Sequence, residues 1–221
     1  MSAPAKKKTA PPNAPKRRQE EEKFLEPESH QRLEEAVMDI FSSQDFHQAN
    51  IRTVAKRAGV SFSTIYKYYG SKEGLLFAFV DKRLGVLTDR MIDHLQGIEN
   101  LKEKLRKVFW VQLDYYERDL QLGRIIFMTV PLATWIKDRT FVQKKMYGMF
   151  LQTLRQGQEQ GVLNNRVTPQ VLLDCMHGLV ERSFYMWIFR GQKYSLSGLA
   201  TPLFEMLWRA ITNPELPEIP S

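Results

Sequence analysis

The stretch from Asn50 to Lys72 constrains this chain more than any other, because capping residues and glycines cut it into helices of only about two turns. Asn50 suits an N-cap, where its side chain accepts an otherwise orphaned backbone N–H, so a helix is predicted from Ile51 to Ala58. Gly59 takes the left-handed conformation cheaply and ends it. Ser61 or Ser63 can cap a third helix that ends near Tyr69, and after Gly70 a further cap at Ser71 opens a long helix with Lys72-Glu73. Upstream, Leu33, Ala36, Val37, Ile40 and Phe41 recur at three- and four-residue spacing, which predicts a helix from Glu28 that breaks at Gln48-Ala49-Asn50.

Three short helices with a tight glycine-containing turn between the second and third make a helix-turn-helix. Val54, Ala55, Ala58, Val60 and Ile65 can close a miniature core against Ile40 and Phe41, and the small alanines allow close approach. Phe62, Ser63, Thr64, Tyr66, Lys67 and Tyr68 are then left mostly off that core. Hydroxyls, aromatics and a lysine on one face suit a groove wall. Charge agrees: Arg52, Lys56, Arg57, Lys67 and Lys72 face only Asp45 in this region, within a chain of net charge +7.

The run IRTVAKRAGVSFSTIYKYYGSKEGLL, Ile51 to Leu76, resembles the TetR family of bacterial transcriptional regulators. The match is carried by Ala58-Gly59-Val60-Ser61, Thr64-Ile65-Tyr66, Tyr68-Tyr69 and Ser71-Lys72-Glu73, and at motif level it covers about residues 30–80. The resemblance implies that Phe62, Ser63 and Tyr66 reach base edges, where a hydroxyl or an aromatic ring can meet a thymine methyl. It implies phosphate contacts from Thr64, Tyr68 and Lys72, with Asn50, Arg52, Ser61 and Lys67 completing the DNA-binding set. Phe62-Ser63 departs from the family pattern, where a polar residue then Gly is more usual. Tyr69 is expected to pack.

Beyond residue 76 the pattern stays helical. Helices are predicted over Leu101 to Asp119, with Leu105, Val108, Phe109, Gln112, Leu113 and Tyr116 inside, and over Leu122 to Val130, Phe141 to Gln160, Thr168-Pro169 to Arg190, and Leu196 to Thr212. No alternation typical of strands occurs. The expected fold is all-α, about nine helices: a three-helix DNA-binding domain over 28–75, then a larger bundle over 76–213 for effector binding and dimerisation, with tails at 1–27 and 214–221. Two apolar lines on each of the last two helices suggest one line for the chain's own core and one for a two-fold partner. The partner line comprises Leu172, Met176, Leu179, Leu199, Leu203, Met206 and Ala210. The resemblance implies a four-helix dimer interface there, which would set two reading helices about 34–36 Å apart.

The middle helices are heavy in large, soft side chains. Phe109, Trp110, Leu113, Tyr116, Phe127, Met128, Met146, Phe150 and Met176 are the candidate lining of a pocket for an apolar or aromatic effector, including one with an acyl chain. The expected function is a ligand-responsive, dimeric DNA-binding regulator on a pseudo-palindromic operator, with repression implied by the resemblance. Two readings stay open: a constitutive architectural or division-linked DNA binder, and a helical protein–protein adaptor.

Residues 1–18 carry six Lys or Arg and no acid, in a segment too poor in apolar residues to order itself, which suggests a basic arm or a solubilising tail. A single cysteine, Cys175, expected as packing on an apolar line, excludes an internal disulfide. No apolar run predicts a membrane span or a secretory signal, so a cytoplasmic protein is expected. His30, His47, His94 and His177 lack metal-ligand spacing, and no phosphate loop or nucleophile motif occurs. Neither a metal, a cofactor nor an enzymatic activity is expected.

Overall fold

Capping and glycine chemistry divide the N-terminal part of the chain where the sequence says it should. A computed structural model describes residues 26–135 and 143–215. Helix α1 spans Pro27–Ser43, α2 Ile51–Ala58, α3 Phe62–Tyr69 and α4 Lys72–Leu95. Asn50 accepts from Arg52 N, Ser61 from Thr64 N and Ser71 from Gly74 N, while Gly59 sits at φ 66°. Helix α1 ends at Ser43, earlier than the sequence suggests, and residues 44–50 form a loop that folds Phe46 and Ala49 inward. Val54, Ala55, Ala58, Val60 and Ile65 are buried with Ile40 and Phe41, and Tyr69 packs on Phe79 with ring centroids 5.8 Å apart.

The rest is a helical bundle: α5 Leu101–Arg118, α6 Leu120–Arg124, a π-helical turn Ile125–Thr129, α7 Leu132–Trp135, α8 Gln143–Glu159, α9 Pro169–Phe189, a 3₁₀ turn Ser197–Leu199 and α10 Ala200–Ile211. The described residues thus hold ten α-helices, one more than the sequence count, because a short helix, Leu132–Trp135, follows Pro131 where none is predicted. Helix α5 is the central strut, in contact with α4, α6, α9 and α10. It buries Val111 and Asp114 as well as the expected Leu105, Val108, Phe109, Gln112, Leu113 and Tyr116. The one β-type pairing among the described residues is an isolated bridge between Leu163 and Thr212.

Polar ties join α1 to the bundle. Arg83 on α4 reaches Glu34 on α1 and forks onto both oxygens of Asp119, at 2.9 and 2.8 Å. Gln121 donates to Asp39, which also pairs with Arg57. Helix α4 runs unbroken from the end of α3 into the bundle, so no linker separates the two parts. None of the described helices is long and apolar enough to cross a membrane.

Candidate DNA-reading face and effector cleft

Helix α3 presents a mixed aromatic and hydroxyl surface to solvent. Phe62 and Tyr66 are 39% and 43% exposed and lie against each other, centroids 4.6 Å apart. The Arg52 guanidinium lies 5.4 Å from the centre of the Phe62 ring, so a cation from α2 is held beside the first turn of α3. Ser61 Oγ stands 2.9 Å from Ser63 Oγ and 2.6 Å from Thr64 Oγ1, which gathers three hydroxyls at the helix N-terminus. Lys67 leans over Tyr68 at 5.5 Å and stays exposed. The expected residues thus fall into three contact groups on α2, α3 and the turn between them: Arg52 with Phe62 and Tyr66, Ser61 with Ser63 and Thr64, and Lys67 with Tyr68. Asn50 has its side chain engaged in the α2 cap.

Lys72 is different. Its ammonium turns back into the protein, donating to Phe46 O, to Ala49 O at 2.8 Å and to His47 O at 3.4 Å, and lies 4.4 Å from the Phe46 ring centre. Burial holds its pKa below the ordinary lysine value, with Glu73 acting in the opposite sense. The expected phosphate anchor thus has its ammonium engaged by three carbonyls of the turn after α1, a complete acceptor set for its three donors.

The cleft between α4, α5 and α8 is apolar and narrow, about 60 Å³. Met146 and Phe150, two of the candidate pocket residues, line it. The remaining wall comes from Met91, Ile92 and Leu95 of α4, Leu105 and Val108 of α5, and Met149, with Lys104, Thr88 and Thr153 as its polar groups. Thr88 donates to Leu84 O at 2.9 Å, and Met146 Sδ stands 3.4 Å from the same hydroxyl.

The other candidate pocket residues lie elsewhere. Phe109 and Leu113 are wholly buried, and Phe109 packs on Phe204. Tyr116 and Phe127 form an aromatic cluster with Phe184, and Met176 is core. Trp110 is half-buried against the edge of the core beneath Lys107, edge-on to His94, and Met128 is exposed. Composition marked α5 and α8 as soft, but the α4 wall was missed. Its signal was the line Leu84, Leu87, Thr88, Met91, Leu95 with a hydroxyl set inside it.

The partner-facing lines also need correction. Leu172 and Met176 are buried in the chain's own core and Leu179 is half-buried. The outward line of α9 is Val171, Cys175, Tyr185 and Phe189, so Cys175 is exposed and does not serve as packing. Of the other line, Leu199 in the 3₁₀ turn and Met206 and Ala210 on α10 are exposed, and Leu203 is half-buried. The proposed basic arm lies outside the described residues. Among those described, no cluster of His, Cys, Asp or Glu could hold a metal ion.

A helix-turn-helix on α1–α3, carried by a larger helical bundle, defines a DNA-binding transcriptional regulator. The chain belongs to the TetR family: residues 34–79 match the model of bacterial regulatory proteins of that family, and residues 80–210 match that of the YsiA-like protein C-terminal region. The two matches meet inside α4. The chain is 23% identical over 181 residues to the fatty acid metabolism regulator protein of Bacillus subtilis, covering 81% of this chain and 93% of that one. The fold is similar to that of FadR, the fatty acid degradation regulator of Bacillus halodurans, at 21% identity and TM-score 0.70 over 83% and 96% of the two chains. It is likewise similar to FadR of Bacillus subtilis in complex with stearoyl-CoA, at 22% identity and TM-score 0.69 over 80% and 97%.

Proposed function

We propose that the chain is a dimeric, cytoplasmic repressor that grips a pseudo-palindromic operator through α3 and is released by a long-chain acyl-CoA. The Phe62–Tyr66 pair beneath Arg52 carries the DNA part of this reading. Two solvent-facing rings at a helix start, flanked by hydroxyls and cations, are poorly suited to water but can reach base edges and methyl groups in the major groove. Removing one base contact costs about 1–3 kcal/mol of specific affinity. Tyr66→Ala should therefore weaken binding to the cognate duplex by that amount, measured by fluorescence anisotropy, and leave binding to random DNA nearly unchanged. Equal losses on both duplexes would sink the assignment.

The effector class rests on the methionine-rich cleft and on the stearoyl-CoA complex of the Bacillus subtilis relative. At about 60 Å³ the cleft is far below the roughly 300–1,000 Å³ of drug-sized ligand sites, so an acyl chain enters only when the flexible Met146 and Met149 or α8 itself give way. Lys104 on its lining supplies a cation for an anionic group. The ligand acts only through its differential affinity for DNA-competent and released states. Stearoyl-CoA should raise the thermal midpoint and lower operator affinity, and a wild-type chain indifferent to it in both assays would favour a constitutive DNA binder.

A further inference from the structure

The loop between α1 and α2, residues 44–50, is gripped from both ends of the molecule. On the reading side stands Lys72, the first residue of α4 and only three positions beyond the end of α3. An ammonium has three N–H donors, and the carbonyls of Phe46, His47 and Ala49 accept all three. On the bundle side stands Thr129, the last residue of the π-helical turn. Its hydroxyl donates to Phe41 O at 2.7 Å, and its carbonyl accepts from Phe46 N at 2.9 Å.

Phe46 therefore carries both grips, its N–H held by the bundle and its C=O by the reading side. Two residues before Thr129, Phe127 packs on Tyr116 and Phe184, with centroids 4.8 and 5.5 Å away. The path from the aromatic core of the bundle to the corner of the reading helix is thus Phe127, Thr129, Phe46, Lys72. A π-helical turn holds one residue more than the α-helix it interrupts, and such turns recur at functional sites. Restoring α-helical geometry there would rotate Thr129 away from both of its bonds.

We propose that this loop is the relay between bundle and reading helix, with Thr129 and Lys72 as positioning residues and not DNA contacts. The signal it carries rests on the acyl-CoA reading above; the mechanical link does not. A ligand that reshapes the bundle moves the π-helical turn, Thr129 draws Phe46 with it, and Lys72 passes the shift to the α3–α4 corner. Contact continuity offers only a route, whereas coupling is a measurable quantity.

The test uses the full chain as wild type, Thr129→Val, Thr129→Ser and Lys72→Met, on a duplex selected by the wild type from a random pool. Lys72→Met should lower DNA affinity by about tenfold while the slope of log affinity against log salt stays unchanged; a slope smaller by about 1 per reading domain would mark a phosphate contact and overturn the assignment of Lys72. With no ligand present, losing the hydroxyl's bond to Phe41 O should loosen the turn whose carbonyl holds Phe46 N, so amide hydrogen exchange over residues 44–50 should accelerate about tenfold in Thr129→Val, as in Lys72→Met, and stay near wild type in Thr129→Ser. Unchanged exchange in Thr129→Val overturns the relay.

Stearoyl-CoA provides the third readout. In Thr129→Val it should bind with wild-type affinity yet change DNA affinity by less than about twofold, against the roughly 5–150-fold typical of coupled sites, with Thr129→Ser restoring the response. A full response in Thr129→Val overturns the relay. A wild type that does not bind stearoyl-CoA refutes the acyl-CoA reading instead, and the salt and exchange results still decide the relay.

Discussion

Gly59 and Gly123 both resist a methyl group, for different reasons. At Gly59 no neighbour would meet the added carbon, but φ is 66°, a backbone conformation that costs an L-residue about 1–2 kcal/mol. Asparagine tolerates it better than alanine, so Gly59→Asn should be milder than Gly59→Ala in urea unfolding. Gly123 has no such φ; there a Cβ would stand 2.4 Å from Phe184 Cζ, because the Phe184 ring of α9 reaches across to Gly123 of α6. Phe184 is fully buried and cannot swing away, so Gly123→Ala should cost about 1–3 kcal/mol as overpacking. Gly123→Ala with Phe184→Leu should recover part of that loss, whereas no second-site change of this kind can relieve Gly59→Ala. Equal rescue at both positions would refute the distinction.

At the scale of elements, what decides legibility is whether the signal is local. Helix α2 could be placed to the residue, and α3 to within two residues, because caps and glycines act within a turn, as Asn50, Gly59, Ser61 and Ser71 do. Helix α9 could be located but not oriented. Val171, Leu172, Leu173, Cys175, Met176, Leu179 and Val180 form an apolar arc wider than one contact needs, and contact with α5, α8 and α10 decides that Leu172 and Met176 turn in. The α4 wall of the cleft and the inward turn of Lys72 depend on partners far away in sequence, which periodicity does not register.

The start of α10 is another long-range tie. Glu117 on α5 accepts from Leu196 N and Ser197 N, both at 2.9 Å, and from Ser195 Oγ at 3.3 Å. Burial alone would raise its pKa, but these donors outweigh burial and hold it below the ordinary value of 4.5. A carboxylate depressed in the folded state contributes stability above its unfolded pKa and loses it as pH falls through the folded one. Glu117→Gln should therefore destabilise most near neutral pH, and the gap to wild type should close below the carboxylate range. Urea midpoints at neutral and strongly acidic pH check this; a constant gap would show that the donors do not favour the charged form.

For the whole molecule, assembly decides whether a single α3 becomes a regulator. Phe189 is 76% exposed and Met206 67%, and with Tyr185 and Leu199 they place large apolar side chains outward on α9, the 3₁₀ turn and α10. Such a concentration suits a two-fold interface in which each copy presents the same surface, and its most exposed side chains are the natural anchors. A charge there would be buried without a partner, so Phe189→Asp or Met206→Asp should turn a dimer into a monomer in sedimentation at micromolar concentration. Each α3 and the cleft lie elsewhere in the chain, so the helical circular dichroism should stay unchanged. One α3 alone covers only half of a two-fold operator. Affinity for the full site should then fall to near that of one half-site, with the salt slope roughly halved because half as many phosphates are contacted. A monomer that still binds the full operator like wild type would show that DNA, and not this apolar face, pairs the two reading helices.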